Sequence, residues 1–238
     1  MHKQITILGT SHIAKQSEHD IKEAFLKIKP DFIAVELDRN RLQSLLSPEK
    51  KSRPSLGMIR QVGLIGFIFL LIGGYAQKKL GKLVGVMPGA DMLYAVNLAK
   101  NNKIKLALVD REIQQTLRGL SKAFTFREKM RFLGDVLKIP FAMLFKKSKV
   151  AKSMSIDLKK VPEDKVIIVM MDLLKKRYPS LYKVLIDERN HIMTKRLVIM
   201  AKKNPNKKIL CVVGAGHKKG IQELLSHYDA KIEVMKTS

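Results

Sequence analysis

The chain has 238 residues, 46% of them hydrophobic, enough for one sizeable α/β domain or for a domain carrying an inserted subdomain. A single cysteine excludes an internal disulfide and a cysteine-based zinc cluster, and makes a reducing cytosolic setting the expectation. The 46 basic residues outnumber the 21 acidic ones to give a formal charge of +25, which favours contact with anionic surfaces. With no tryptophan and no recognisable nucleic-acid module, an anionic membrane surface ranks ahead of nucleic acid, and solubility alone is the third explanation.

The first apolar run, Ile5-Thr6-Ile7-Leu8, follows Met1 without a signal-peptide hydrophobic region and reads as a buried strand ended by Gly9-Thr10-Ser11-His12. Ser17 with Asp20 resembles a capping box, and Ile21, Ala24, Phe25 and Ile28 repeat at helical spacing until Pro30-Asp31. Residues 32–35 form the second strand, with Glu36 and Asp38 at its end; residues 40–46 read as a helix and 47–54 as a linker. Residues 61–77 then carry no formal charge. As a helix they would span about 25 Å at ~1.5 Å per residue, short of a bilayer core near ~30 Å. Two readings stay open: a buried or dimer-forming helix, and a membrane-facing hairpin flanked by Arg60 and Lys78-Lys79.

Residues 88–91 open another helix, residues 104–109 form the third strand, and Asp110-Arg111-Glu112 closes it. A helix over 113–120 follows, then a second capping box, Thr125 with Glu128, and a basic helix that Pro140 must kink or end. Residues 146–160 read as a loop, 161–177 as a helix, and 179–203 as a long helix containing Glu188-Arg189-Asn190. From spacing alone that cluster reads as a solvated face. The fourth strand, residues 209–213, ends in Gly214-Ala215-Gly216-His217, the counterpart of the corner at His12, and residues 230–235 read as a last strand.

Strands alternating with helices predict an α/β fold, with a mainly parallel central sheet flanked by helices. A helical insertion over 55–87 lies between the second and third strands, and a second helical segment over 121–204 precedes the fourth; all of it is read as one domain. Ligands of such sheets bind beyond the carboxyl ends of the strands. There the sequence places His12, Glu36, Asp38, Asp110, Arg111 and His217, which core packing does not require. Two histidines and two or more carboxylates can ligate a divalent metal or activate water. Each corner alone is also an ordinary strand-to-helix turn. His191 and His227 read as surface residues.

Taken together, Leu8-Gly9-Thr10-Ser11-His12, Val35-Glu36-Leu37-Asp38 with Arg41, Pro88-Gly89-Ala90-Asp91-Met92, Leu108-Val109-Asp110-Arg111 with Thr116, Glu188-Arg189-Asn190 and Val213 to His217 resemble the TraB/PrgY family. That family is grouped with Tiki, GumN, the erythromycin esterases and ChaN. The resemblance implies a metallopeptidase acting on small peptides, with Mn or Co, or else Zn, held by His12, His217 and Glu36. Arg189 would stabilise an oxyanion, supported by Glu188, Asn190, Asp110 and Arg111. The alternatives it leaves are a metal-independent esterase with His12 as base and a non-catalytic, membrane-associated peptide-binding protein. Expected partners are a peptide substrate, an anionic membrane surface and a second copy docked through the apolar insertion; the expected location is cytoplasmic, peripheral or tethered to a membrane. Longer relatives continue into apolar C-terminal helices, so the chain is expected to be a short form or a truncated one.

Overall fold

A computed structural model describes residues 4–10, 14–47, 55–84, 89–144, 163–228 and 232–234. His12, the linker beyond Ser47, Pro88 and the expected loop over 146–160 lie outside the described residues. The strands are β1 (Ile5–Thr10), β2 (Phe32–Val35), β3 (Lys105–Leu108), β4 (Ile209–Gly214) and β5 (Ile232–Val234). They form one sheet in the order β3-β2-β4-β1-β5, with parallel pairing throughout. Both faces of its centre are buried, which is why β1 and β4 are continuous apolar runs rather than alternating ones.

The helices, in chain order, are α1 (Ala14–Ile28), α2 (Arg39–Leu46), α3 (Met58–Val84), α4 (Ala90–Asn101), α5 (Ile113–Ala123), α6 (Phe126–Leu144), α7 (Glu163–Arg177) and α8 (Pro179–Tyr182). A π turn, Lys183–Asp187, joins α8 to α9 (Glu188–Lys203), and α10 (Ala215–Ser226) follows β4. One face of the sheet packs Ile5, Ile7, Ile209 and Cys211 against Met193 and Leu197 of α9 and Ile221 and Leu225 of α10. The other packs Leu8, Ile33, Val35 and Val212 against Ile21 and Ala24 of α1 and Ala95 and Ala99 of α4. The result is a three-layer α/β arrangement, as expected.

β1 and β4 pair from Ile5↔Ile209 to Thr10↔Gly214, so the strands leading to the two GxxH corners end side by side. The chain leaves β1 and β2 towards the β3 edge, but leaves β3 and β4 towards β5. β2 and β4 are neighbours whose connections depart in opposite directions, and ligands of such sheets bind at the carboxyl ends of strands so arranged.

Several local expectations are corrected. The helix begins at Ala14, so Ser17 and Asp20 lie inside α1 rather than capping it; Asp20 accepts from Gln16 Nε2 at 2.9 Å, one turn back. Of the two outcomes expected at Pro140, a kink or an end, the helix does not end there: α6 continues to Leu144. The second capping box does form: Thr125 Oγ1 accepts from the Glu128 amide at 3.3 Å, and Glu128 accepts from the Thr125 amide at 3.1 Å. Glu128 also accepts from the Ser180 amide at 2.8 Å, which fixes α6 to α8.

The apolar segment is neither a hairpin nor a buried helix. It runs as α3, broken at Gly63, whose φ of 75° and ψ of 164° leave the helical region. The break frees the Val62 carbonyl and the Gly66 amide, and Ser121 of α5 serves both, donating to Val62 O at 2.6 Å and accepting from Gly66 N at 2.7 Å. Gly66 is needed for that approach, since a Cβ there would sit 2.6 Å from the Leu117 carbonyl oxygen. Ser121→Ala should cost about 1–3 kcal/mol, because two backbone groups lose their partner. Gly73→Ala, with open space around its Cβ position, should be neutral or stabilise by up to ~1 kcal/mol. Urea unfolding midpoints of the two variants measure the contrast.

Candidate active site at the carboxyl edge of the sheet

Arg189 is the centre of the site. It stands in the first turn of α9, directly after the π turn, and its side chain is 13% exposed. Nη2 donates to Glu36 Oε1 and to Asp110 Oδ2, Nε reaches both Asp110 oxygens at 3.2 Å, and Nη1 donates to the Leu185 carbonyl at 3.1 Å. Nη1 also lies 3.0 Å from His217 Nε2. A guanidinium has five N–H groups, and this geometry gives each an acceptor. Arg189 thus ties the ends of β2, β3 and β4 to one helix.

The acidic residues at the strand ends are held from both sides. Glu36 Oε2 accepts from the Gly214 amide at 2.7 Å, joining the ends of β2 and β4. Asp110, 2% exposed, also receives Arg41 and the Arg111 amide, while Arg196 donates to its backbone carbonyl. Asp38 caps α2 through the amides of Asn40 and Arg41 at 2.9 and 3.1 Å, and holds Arg41 Nε at 2.8 Å. Arg111 bonds Thr116 Oγ1, Glu188 Oε2 and the Val184 carbonyl at 2.8–2.9 Å. The π turn therefore presents two carbonyls, Val184 and Leu185, to two arginines.

His217 lies in the first turn of α10 and is 5% exposed. Its Nδ1 is 2.7 Å from Asn190 Oδ1, so Nδ1 carries the proton and Nε2 presents a lone pair to Arg189. Burial is the largest influence on this imidazole and lowers its pKa; Arg189 adds to that effect, against the opposing pull of Glu36. The result is a neutral histidine. Burial raises the Glu36 carboxyl, but the Arg189 cation and the Gly214 amide are among the influences that outweigh it and hold the group below its ordinary 4.5. For Asp110 burial is likewise outweighed, by Arg189, Arg41 and the Arg111 amide, so its carboxyl lies below its ordinary 3.8.

The expected residues thus converge: Glu36, Asp110, Arg111, Glu188, Arg189, Asn190 and His217 form one connected network. The solvated-face reading of Glu188-Arg189-Asn190 is overturned. Asn190 is buried and Arg189 nearly so, because that face of α9 lies over the strand ends. His191 and His227 are exposed, as expected. Arg41, Arg196 and Thr116 complete the network without having been singled out as site residues. The seven-residue interval between Arg189 and Arg196, two helical turns, marks one face and was the available signal. At the neighbouring strand end, Thr10 Oγ1 donates to Asp91 Oδ2 at 2.5 Å, tying β1 to α4.

Two of the three expected metal ligands stand together, with Glu36 Oε1 3.4 Å from His217 Nε2; His12 lies outside the described residues. A divalent ion on these two atoms would have to displace Arg189. The Arg189 guanidinium contacts both of those atoms, so the lone pairs a metal needs are taken and a positive charge stands beside them. Among the described residues, no three His, Cys, Asp or Glu side chains group as metal ligands.

The sequence profile of the TraB/PrgY/gumN family matches residues 1–233. The chain belongs to that family. It is 34% identical over 221 residues to an uncharacterised protein of Methanocaldococcus jannaschii, covering 93% of this chain and 53% of that protein. It is 22% identical over 243 residues to a TraB domain-containing protein of Homo sapiens, covering 92% of this chain and 62% of that one. The chain therefore spans between half and two thirds of the length of these relatives. A solved erythromycin esterase mutant in its open conformation aligns with 98% of this TraB-family chain and 69% of its own, at 13% identity and a TM-score of 0.40.

Removing Arg189 leaves two carboxylates buried without their main counter-charge. Arg189→Met should cost about 3–5 kcal/mol. The pH dependence follows from the lowered groups. Glu36, Asp110 and His217 all have folded pKa values below their unfolded ones, so each contributes stability that is complete above the unfolded value and lost as pH falls. For His217 the loss starts near its ordinary 6.5, and for the carboxylates near 4.5 and 3.8. Urea unfolding between pH 7 and pH 4 should show stability falling with acidification, and a weaker fall for Arg189→Met below pH 5.

Proposed function

We propose that the chain is a hydrolase whose reaction takes place beside Glu36, Arg189 and His217 and which uses no bound metal. The observation that carries this reading is the state of His217: neutral, held through Nδ1 by Asn190, with its Nε2 lone pair 3.0 Å from Arg189 and 3.4 Å from Glu36. A neutral imidazole of fixed tautomer can take a proton from a water that attacks an ester or amide carbonyl. Glu36 stabilises the imidazolium that results, and Nε2 then returns the proton to the leaving oxygen or nitrogen as the bond to the carbonyl carbon breaks. Arg189, turning its Nη1 from Nε2 to the substrate, meets the negative charge developing on the carbonyl oxygen. Family resemblance assigns the base to His12 instead; the described geometry supports His217 for the same step.

A second reading, a metallopeptidase that uses Mn or Co on small peptides, is favoured by one distance. The 3.4 Å between Glu36 Oε1 and His217 Nε2 suits two ligands of one ion with bonds of about 2.0–2.2 Å. It requires Arg189 to withdraw from both atoms.

Hydrolysis of a panel of chromogenic esters and short peptides decides between the two. In the metal-free reading, activity survives exhaustive chelation, and His217→Asn and Glu36→Gln each lower it by about 10²–10⁴-fold with far-ultraviolet circular dichroism unchanged. Stoichiometric Mn or Co in the purified protein, lost together with activity in His12→Ala, would establish the metallopeptidase instead. No turnover of any member of the panel by the intact protein would count against both.

A further inference from the structure

We infer that the outer face formed by α3, α6 and α7 is a docking surface for an anionic lipid bilayer, bound in the plane of the headgroups rather than across the membrane. These helices meet in one aromatic cluster. Phe69 of α3 stacks on Phe132 of α6 at 5.0 Å, and both contact Phe124, which stacks on Tyr178 at the end of α7. A helix packed along one stripe has no structural need for a second apolar stripe, yet each of the three has one. On α3, Leu64, Leu71 and Tyr75 recur at helical spacing and are 60%, 47% and 65% exposed. On α6 the stripe is Phe126, Met130 and Leu133, and on α7 it is Met170 and Leu173. Over Met58–Tyr75, an 18-residue stretch of mean hydropathy 1.7, 17% of the residues are buried.

Charge selects the occupant. The sequence from residue 55 to 90 has Arg60, Lys78, Lys79 and Lys82 and no acidic residue. On α6, Arg127, Lys129 and Arg131 are interleaved with the exposed apolar positions, while Glu128 is turned inward to Thr125 and Ser180 and Asp135 is paired with Arg177; on α7, Asp172 is followed by Lys175, Lys176 and Arg177 in the last turn. Apolar side chains flanked by cations are what a surface of anionic headgroups binds. A second copy would bring another +25 against the same face, and nucleic acid offers little to Leu64, Leu71 and Tyr75. The helix is not free to span. Ser121 bonds it on both sides of the Gly63 break, and Gly66 lies against the Leu117 carbonyl, so α3 is fixed lengthwise on α5.

The chain contains no tryptophan, so one introduced indole reports on one place. Tyr75→Trp puts it on the α3 stripe, and Tyr228→Trp puts it just after α10, outside the three apolar stripes. With phosphatidylcholine vesicles containing phosphatidylglycerol, Tyr75→Trp fluorescence should shift to the blue and Tyr228→Trp should not. Binding, followed by sedimentation, should be negligible on phosphatidylcholine alone and weaken about tenfold or more in 0.5 M salt. Leu64→Glu combined with Leu71→Glu should weaken it by a similar factor, with the melting temperature unchanged. No binding to anionic vesicles, binding that the double variant leaves intact, or an unshifted Tyr75→Trp emission would each overturn the inference. So would a dimer of the free protein that the double variant dissolves.

Discussion

One guanidinium decides whether this site exists. Arg189 is placed where the water that would otherwise solvate Glu36 and Asp110 has been removed, and desolvation is the largest single influence on all three groups. Removing a carboxylate from water costs several kcal/mol, and the Coulombic return exceeds that only where geometry and hydrogen bonding are complete. Here they are: the five N–H groups of Arg189 are matched, and both oxygens of Glu36 are occupied. Around it Arg41, Arg111 and Arg196 face Asp38, Glu188 and the Asp110 carbonyl, so that in a chain of charge +25 four arginines meet four carboxylates in one compact region.

The sheet makes this concentration of charge tolerable. The central strands β1, β2 and β4 carry no charged side chain, so the acidic residues of the site stand just beyond the ends of β2 and β3, where backbone amides are available. β4 adds the Gly214 amide and, three residues later, His217. The divergence of the connections from β2 and β4 then supplies the room for α9 to bring Arg189 and Asn190 over that edge.

Much of this was legible in the residues. Ile5 to Leu8 and Ile209 to Val213 are too apolar for anything but a two-sided interior, and the polar residues closing each run marked the functional edge before any pairing was known. What remained hidden is what depends on partners distant in sequence. Glu188-Arg189-Asn190 reads as a solvated cluster because spacing on a helix fixes which residues share a face but not what lies opposite that face. Ser17 and Asp20 imitate a cap because the pattern says nothing of the helical residues before them. The apolar stretch over 61–77 is ambiguous for the same reason: Gly63 and Gly66 are equally suited to a close contact in lipid or, as observed, to Ser121 and Leu117 of α5.

The pairing of β1 with β4 across some two hundred residues constrains how the molecule is made. β1 sits between β4 and β5, both of them made some two hundred residues after it. Until they arrive it has no neighbour, and loop closure over that distance makes the pairing slow. Synthesis from the amino terminus thus leaves an apolar strand waiting while some two hundred further residues are made, a period in which a nascent chain is open to chaperone capture or to self-association. The edge that carries Glu36 is complete only once β4 and the first turn of α10 have joined it, bringing the Gly214 amide and His217.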